Sequence, residues 1–472
     1  MTTSTDRAHG ALHRTLSFWG ALGLSVALLG PSMAVNINPQ APAKHVGRAV
    51  PLVFLISTAA VLLVAYAFIR LCQHFAHAGS VYGLVSATLG PRTGFLAGWL
   101  LLGTYLAFTV TTLSGSALFL TTFAQDVGLW AHPDWLIPAG IAVLLLVLLA
   151  TRPAALATKV LLGVEIVTML LILAISVIVV IRLSGPGTPG GHSLTASVFT
   201  LDSRTPISGV FFAMTFGFLS FAGFEAAATL GEETVNPRRA IPRALLGTVL
   251  LGGLFFVFVT ATESMGFGTG SRGTTAFIGS SSLMGDLART FLNGWSGHLV
   301  TLGAGISAFG SALACAVGAA RLLFAMSRDG FTGRKLGTTR EHDGVPLRAT
   351  TAVLVAVVLI IGTLRLAATS SITDIFFWTG TIGSLALLVA YLLCLTGAIR
   401  FLFFTRPRRA RLWEICIPTA GGILVTYTLI TNIYPIPDAP YNTFPYVVLA
   451  WTALGITYAI HNRSRGRSAT IR

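Results

Sequence analysis

Residues 211–244 read FFAMTFGFLSFAGFEAAATLGEETVNPRRAIPRA: an apolar span that turns small and flexible at Ser220-Phe221-Ala222-Gly223, meets a carboxylate at Glu225 and ends in the charged patch GEETVNPRR. A soluble protein rarely needs that order. Backbone that leaves a helix inside a membrane must line a protein-enclosed or watery cavity, because lipid offers its N–H and C=O groups no partner. A glutamate at that depth is costly and marks a candidate functional site. The plainer reading is a packing glycine beside a serine bonded to its own helix, since small residues are common between transmembrane helices.

Composition points the same way. The 472 residues are 54% hydrophobic and only 10% charged, against about 25% charged in globular domains. Apolar runs of about 20 residues recur along nearly the whole chain, which defines one polytopic membrane domain with no room for a separate soluble one. The net charge of +15 raises the question of nucleic acid, and the placement of the charges answers it. With twelve spans and the N-terminus inside, 24 of the 31 Lys and Arg fall in cytoplasmic segments. That bias sets orientation, with both termini cytoplasmic in a plasma-membrane protein, and no basic and aromatic pattern for nucleic acid accompanies it. The tail NRSRGRSATIR and the loop RPRRAR are expected to touch anionic lipid headgroups, at about 1 kcal/mol per basic residue.

The spans are expected at 16–38, 50–71, 93–123, 136–150, 155–181, the opening stretch, 244–262, 299–326, 347–364, 373–404, 413–433 and 446–461, with a short external helix at 284–293. Cys72, Cys315, Cys394 and Cys416 fall within or at the ends of spans, without metal-ligand spacing, and read as small packing residues. No metal or cofactor is called for. The first span is interrupted at Gly30-Pro31-Ser32-Met33. Proline cannot donate its backbone N–H and clashes with the preceding turn, so a second half-helix is expected from about Ala34, with free N–H groups forming an anion site in mid-membrane. A simple proline kink is the alternative. Of the 16 acidic residues, Glu165 and Glu225 fall well inside these spans, and the others belong to loops or span ends.

The interrupted spans are the first and the sixth, which open successive groups of five. A matched pair of broken segments is the sequence signature of an inverted-repeat transporter with a site at the midplane. The chain accordingly divides into a tail (1–15), a first repeat (16–185), an extracellular linker (186–205), a second repeat (206–405), two further spans (406–462) and a basic tail (463–472).

Three segments carry a family likeness: GFEAAATLGEETVNPRRAIPRA at 223–244, AGSVYGLVSATLGPRTGFLAGW at 78–99 and AARLLFAMSRDGF at 319–331. In this order they resemble the amino acid-polyamine-organocation transporters over most of spans 1 to 10. The resemblance implies an all-α fold like that of the leucine transporter, a 5+5 inverted repeat with twelve transmembrane helices, and alternating access around broken helices 1 and 6. Relatives of this kind carry amino acids or amines as proton symporters, exchangers or uniporters.

Residue by residue, the resemblance puts a substrate carboxylate against the backbone of Ser32, Met33, Ala34 and Val35. It puts the ammonium against carbonyls near Leu219, Ser220 and Phe221, with Ala222 and Gly223 allowing close approach and Tyr105 nearby. Leu219 stands where relatives often have an aromatic gate, and Thr168 where many proton-coupled relatives have a lysine; Lys159 lies nearer the cytoplasmic end. Glu225 then becomes the first candidate for proton coupling and Glu165 the second, while Glu232, Glu233, Arg238 and Arg239 are expected to form a cytoplasmic gate.

The rival readings are distinguishable. Sodium coupling would use oxygen ligands between spans 1 and 8, where Ser307 and Ser311 lie one turn apart. An enzyme would show a clustered nucleophile, base or metal set, and neither HExxH nor GxSxG occurs. A channel would show a filter-like repeat or rings of charge, and a non-transporting sensor would append a soluble signalling domain. The leading expectation is a secondary transporter of amino acids or amines, coupled to protons or working by exchange.

Overall fold

In the computed structural model, described here for residues 17–75, 80–131, 134–152, 155–230, 234–331, 334–340, 345–368 and 371–461, every element is helical and no β-strand occurs among the described residues. In chain order the α-helices are α1 (Phe18–Leu29), α2 (Pro31–Ile37), α3 (Gln40–Val46), α4 (Val50–His74), α5 (Ser80–Leu89), α6 (Pro91–Asp126), α7 (Leu136–Ala150), α8 (Ala155–Leu183), α9 (Ile207–Phe221), α10 (Pro237–Phe267), α11 (Ser271–Gly279), α12 (Leu283–Phe291), α13 (Gly294–Arg328), α14 (Leu347–Ala368), α15 (Ile372–Ile399), α16 (Cys416–Thr431) and α17 (Phe444–His461). Ten spans among the described residues are long and apolar enough to cross a membrane, and α7 and α9 are shorter apolar helices.

Local chemistry explains several helix starts. Pro31, Pro91 and Pro237 each occupy the first turn of their helix, where proline's missing N–H costs nothing and its φ is already helical. Ser371 and Asp374 close a reciprocal cap on α15, the Ser371 Oγ accepting the Asp374 N–H at 3.1 Å.

The core is built on α6, which packs along both α13 and α15, while α10 packs along α4. At 36 residues α6 is about 54 Å long, well beyond a hydrocarbon core of about 30 Å, so it extends past the apolar layer or crosses it tilted. Its inward residues, among them Phe95, Tyr105, Phe108 and Phe119, are buried. By contrast α7, α14, α16 and α17 turn Leu144, Leu359, Ile423 and Leu449 outward, all largely exposed. In water that surface would be unfavourable; in lipid it is ordinary.

Four sequence expectations are corrected. The half-helix after the first break begins at Pro31, not near Ala34, because a single left-handed residue, Gly30, suffices for the break. The seventh span runs to Phe267 rather than Thr262, so Glu263 lies inside a span and is fully buried. The segment expected to be external holds two helices, α11 and α12, instead of one at 284–293. Cys72, Cys315 and Cys394 are buried, but Cys416 is exposed at the start of α16.

Candidate functional site

The two breaks face each other through α1, α2 and α9. At the first, Gly30 has φ +56°, a left-handed conformation that favours glycine, and a Cβ there would stand 3.3 Å from the Ser311 Cβ. The N–H groups that follow are not free. Ser32 N–H donates to Glu165 Oε1 of α8 at 2.9 Å, and Met33 N–H donates to Ser307 Oγ of α13 at 3.2 Å. Ala34 N–H turns back to the Gly30 carbonyl at 2.9 Å. Two groups the sequence treats separately, the backbone at Ser32 and the Glu165 carboxylate, are therefore one contact. Ser311 Oγ donates to the Leu28 carbonyl at 2.7 Å, which ties α13 to the last turn of α1.

Asn36 fastens the C-terminal end of α2. Its Nδ2 donates to the Ser32 carbonyl at 2.8 Å, and its Oδ1 accepts Ser282 Oγ at 2.9 Å and the Met284 N–H at 3.0 Å.

At the second break α9 stops at Phe221 and the chain resumes as a 3-10 segment, Phe224–Leu230. Gly223 between them has φ +104° and presses on Leu28 so closely that a Cβ would overlap that side chain. Glu225 closes over this turn. Its Oε2 accepts the Gly223 N–H at 3.1 Å and the Tyr391 hydroxyl at 2.9 Å, while its buried Oε1 has no partner among the described residues. Tyr105 and Cys315 lie near enough to Glu225 to interact electrostatically with it. Ser25 of α1 clips the segment in place, donating to the Phe224 carbonyl at 3.1 Å and accepting the Ala227 N–H at 3.0 Å.

The breaks communicate through side chains. Asn38 Nδ2 donates to Ser220 Oγ at 2.7 Å, Ser220 Oγ donates to the Phe216 carbonyl at 2.9 Å, and Asn38 Oδ1 is buried without a partner among the described residues. Beside this bridge is a cavity of about 20 Å³ lined in part by Met33, Asn38, Thr112, Leu219, Ala222 and Phe376, the room of about one water. Any larger guest requires Met33, Leu219 or Phe376 to move.

Of the predicted binding residues, Met33, Leu219 and Ala222 line that cavity, while Ser32, Ala34, Val35, Ser220, Phe221, Gly223 and Tyr105 form buried structure around it. Asn38, Thr112 and Phe376 were not singled out from sequence; a polar residue at the very end of an interrupted span was the available signal for Asn38. Glu232 and Glu233 lie outside the described residues. Arg238 and Arg239 are exposed on the first turn of α10, with no acidic partner among the described residues.

The three family-like segments come together. Ser80 Oγ reaches the Glu225 carbonyl at 3.4 Å, and the Tyr82 hydroxyl bonds the Asp329 carboxylate. Phe95 stacks on Phe331 with centroids 4.9 Å apart.

An apolar bundle with two interrupted spans meeting at a closed polar core has the architecture of a membrane transporter. A solved manganese transporter of Eremococcus coleocola shares the fold, covering 98% of each chain with a TM-score of 0.57 at 12% identity. Residues 34–465 match the family model of amino acid permeases, and the chain belongs to that family, within the amino acid-polyamine-organocation superfamily. Among curated relatives, the low-affinity putrescine importer PlaP of Escherichia coli (strain K12) is 25% identical over 336 residues, 70% of each chain. The branched-chain amino acid permease BcaP of Bacillus subtilis (strain 168) is 24% identical over 366 residues, 74% of this chain and 72% of that one. An uncharacterized transporter of Mycobacterium tuberculosis (strain ATCC 25618 / H37Rv) is 28% identical over 407 residues, 84% of this chain and 83% of that one. The protein is thus a multi-pass membrane permease and not an enzyme.

Proposed function

We propose that this permease moves amino acids or related amines across the plasma membrane by alternating access, driven by protons or by exchange. It would do so as two five-helix inverted repeats, residues 16–185 and 206–405, with two further helices and both termini cytoplasmic. The observation that carries the reading is that each break is latched by a buried carboxylate: Glu165 on the Ser32 N–H and Glu225 on the Gly223 N–H. A hydrogen bond with an ionised acceptor is roughly twice as strong as a neutral one. Adding a proton to either carboxylate would loosen its latch, and removing it would restore the latch, which links proton occupancy to the conformation of the break.

Substrate binding fits the same geometry. A substrate ammonium would find acceptors in Asn38 Oδ1 and Glu225 Oε1, both buried and unpartnered among the described residues, and unpaired buried acceptors favour a donor. A substrate carboxylate would have to compete with Glu165 for the Ser32 N–H. The relatives named as a putrescine importer and a branched-chain amino acid permease bracket that substrate range.

The test is uptake of a radiolabelled panel of amino acids and amines into proteoliposomes with an inward proton gradient and no sodium. Gradient-driven accumulation of one class, lost in Glu225→Gln, is expected. Accumulation only after preloading with substrate would make the protein an exchanger. A strict sodium requirement would favour a second reading, in which Ser307 Oγ beside Glu165 and Ser311 Oγ on the Leu28 carbonyl mark an oxygen-rich ion position.

A further inference from the structure

A second concavity lies far from the central one and shares no residue with it. It is an apolar groove of about 410 Å³ between α15 and α16, lined in part by Leu392, Thr396 and Ile399 of the former and Thr419, Gly422 and Ile430 of the latter. Thr396, Thr419 and Ile430 are exposed, and a side chain added at Gly422 would meet nothing within 4 Å, so the groove opens outward to lipid. From Thr419 to Ile430 it follows α16 for about 16 Å at 1.5 Å per residue. That is about half of a 30 Å hydrocarbon core, the depth of one leaflet.

Its foot is strongly basic. Arg400 lies one turn beyond Thr396 on the same face of α15, and Arg406, Arg408 and Arg411 sit on the loop that joins the two helices. Arg400, Arg406 and Arg408 are exposed, and their side chains form no hydrogen bond or ion pair among the described residues. Arg409, in contrast, is committed to the protein, its guanidinium 4.0 Å above the Phe401 ring. Phe404 and Trp413 at the same level are 73% and 64% exposed, as aromatic residues at the headgroup boundary are.

We propose that the groove holds one acyl chain of an anionic phospholipid whose phosphate sits on Arg400 and the neighbouring loop arginines. Guanidinium groups match phosphate oxygens in geometry as well as charge, and basic pockets at the ends of transmembrane helices favour anionic headgroups. The one-leaflet length separates this occupant from a transmembrane helix of a second copy, which would need the full thickness.

The test is native mass spectrometry of the full chain in mild detergent, titrated with dioleoyl-phosphatidylglycerol or dioleoyl-phosphatidylcholine. The anionic lipid should be retained about fivefold more than the zwitterionic one. Combined Arg400→Gln, Arg406→Gln and Arg408→Gln should reduce the anionic lipid to the zwitterionic level. Gly422→Phe, and separately the exposed Thr419→Trp, should lower retention of both lipids while leaving the melting temperature in lipid-free detergent unchanged. Equal retention of the two lipids, a preference that survives the arginine changes, displacement by soluble glycerol phosphate at equal concentration, or a dimer that excludes lipid would each overturn the proposal.

Discussion

Glu165 Oε1 stands 2.9 Å from the Ser32 backbone nitrogen, so α8 supplies a carboxylate to the first N–H of α2. The place expected to receive a carboxylate from outside is met by a carboxyl group from within. Glu165→Ala should leave that N–H without its acceptor and destabilise the protein by about 1–3 kcal/mol, read as a lowered melting temperature in detergent. Glu165→Gln, which keeps an acceptor oxygen, should fold normally yet flatten the dependence of uptake on external pH.

Glu225 and Tyr391 form the corresponding latch at the second break, with the hydroxyl 2.9 Å from Oε2. Glu225→Gln and Tyr391→Phe should each reduce stability, and the double variant should fall short of their sum by about 0.5–3 kcal/mol. Strict additivity in a double-mutant cycle would mean that the pair is not in contact in the membrane.

Gly223 combines φ +104° with close approach to Leu28. Gly223→Ala should therefore cost both backbone strain, about 1–3 kcal/mol, and a steric displacement of α1. Adding Leu28→Ala should recover the steric part and not the backbone part, so transport by the double variant should remain well below wild type in a vesicle uptake assay.

Glu263 is fully buried in α10, and neither carboxylate oxygen has a hydrogen-bond partner among the described residues. Replacing an unsatisfied buried polar group by an apolar one of similar shape is neutral or stabilising. Glu263→Met should therefore raise the melting temperature, and a fall in uptake alongside it would identify Glu263 as a carboxylate kept for transport at the expense of stability. A lowered melting temperature would show that Glu263 has a partner in the membrane.

Much of this site was legible before any coordinates. Gly30-Pro31 and Ala222-Gly223 interrupt apolar runs, and interruption is a one-dimensional property, so both breaks could be found by reading along the chain. Glu225 was conspicuous for the same reason, as a charge two residues beyond the second break. Glu263 was not, because hydropathy falls gradually at a span end and the local sequence ATESMGFG reads equally as helix or loop; packing against neighbouring helices carries α10 on to Phe267. Asn38 gave even less signal, since an amide near a span end is ordinary until Ser220, 182 positions away, is seen to accept from it.

Residue order and hydropathy alone therefore decide that the chain is a polytopic membrane protein, roughly where its spans lie, and which two of them are broken. Those are local consequences of lipid's inability to hydrogen-bond the backbone. What fills the breaks belongs to the tertiary structure. Ser32 and Glu165 are 133 residues apart, and Met33 and Ser307 are 274 apart; only the packing of α2 against α8 and α13 decides that an internal carboxylate and a serine hydroxyl, rather than free space, meet those N–H groups. Hydrogen-bond satisfaction in a low-dielectric interior is settled between elements, and no reading along a single chain contains it.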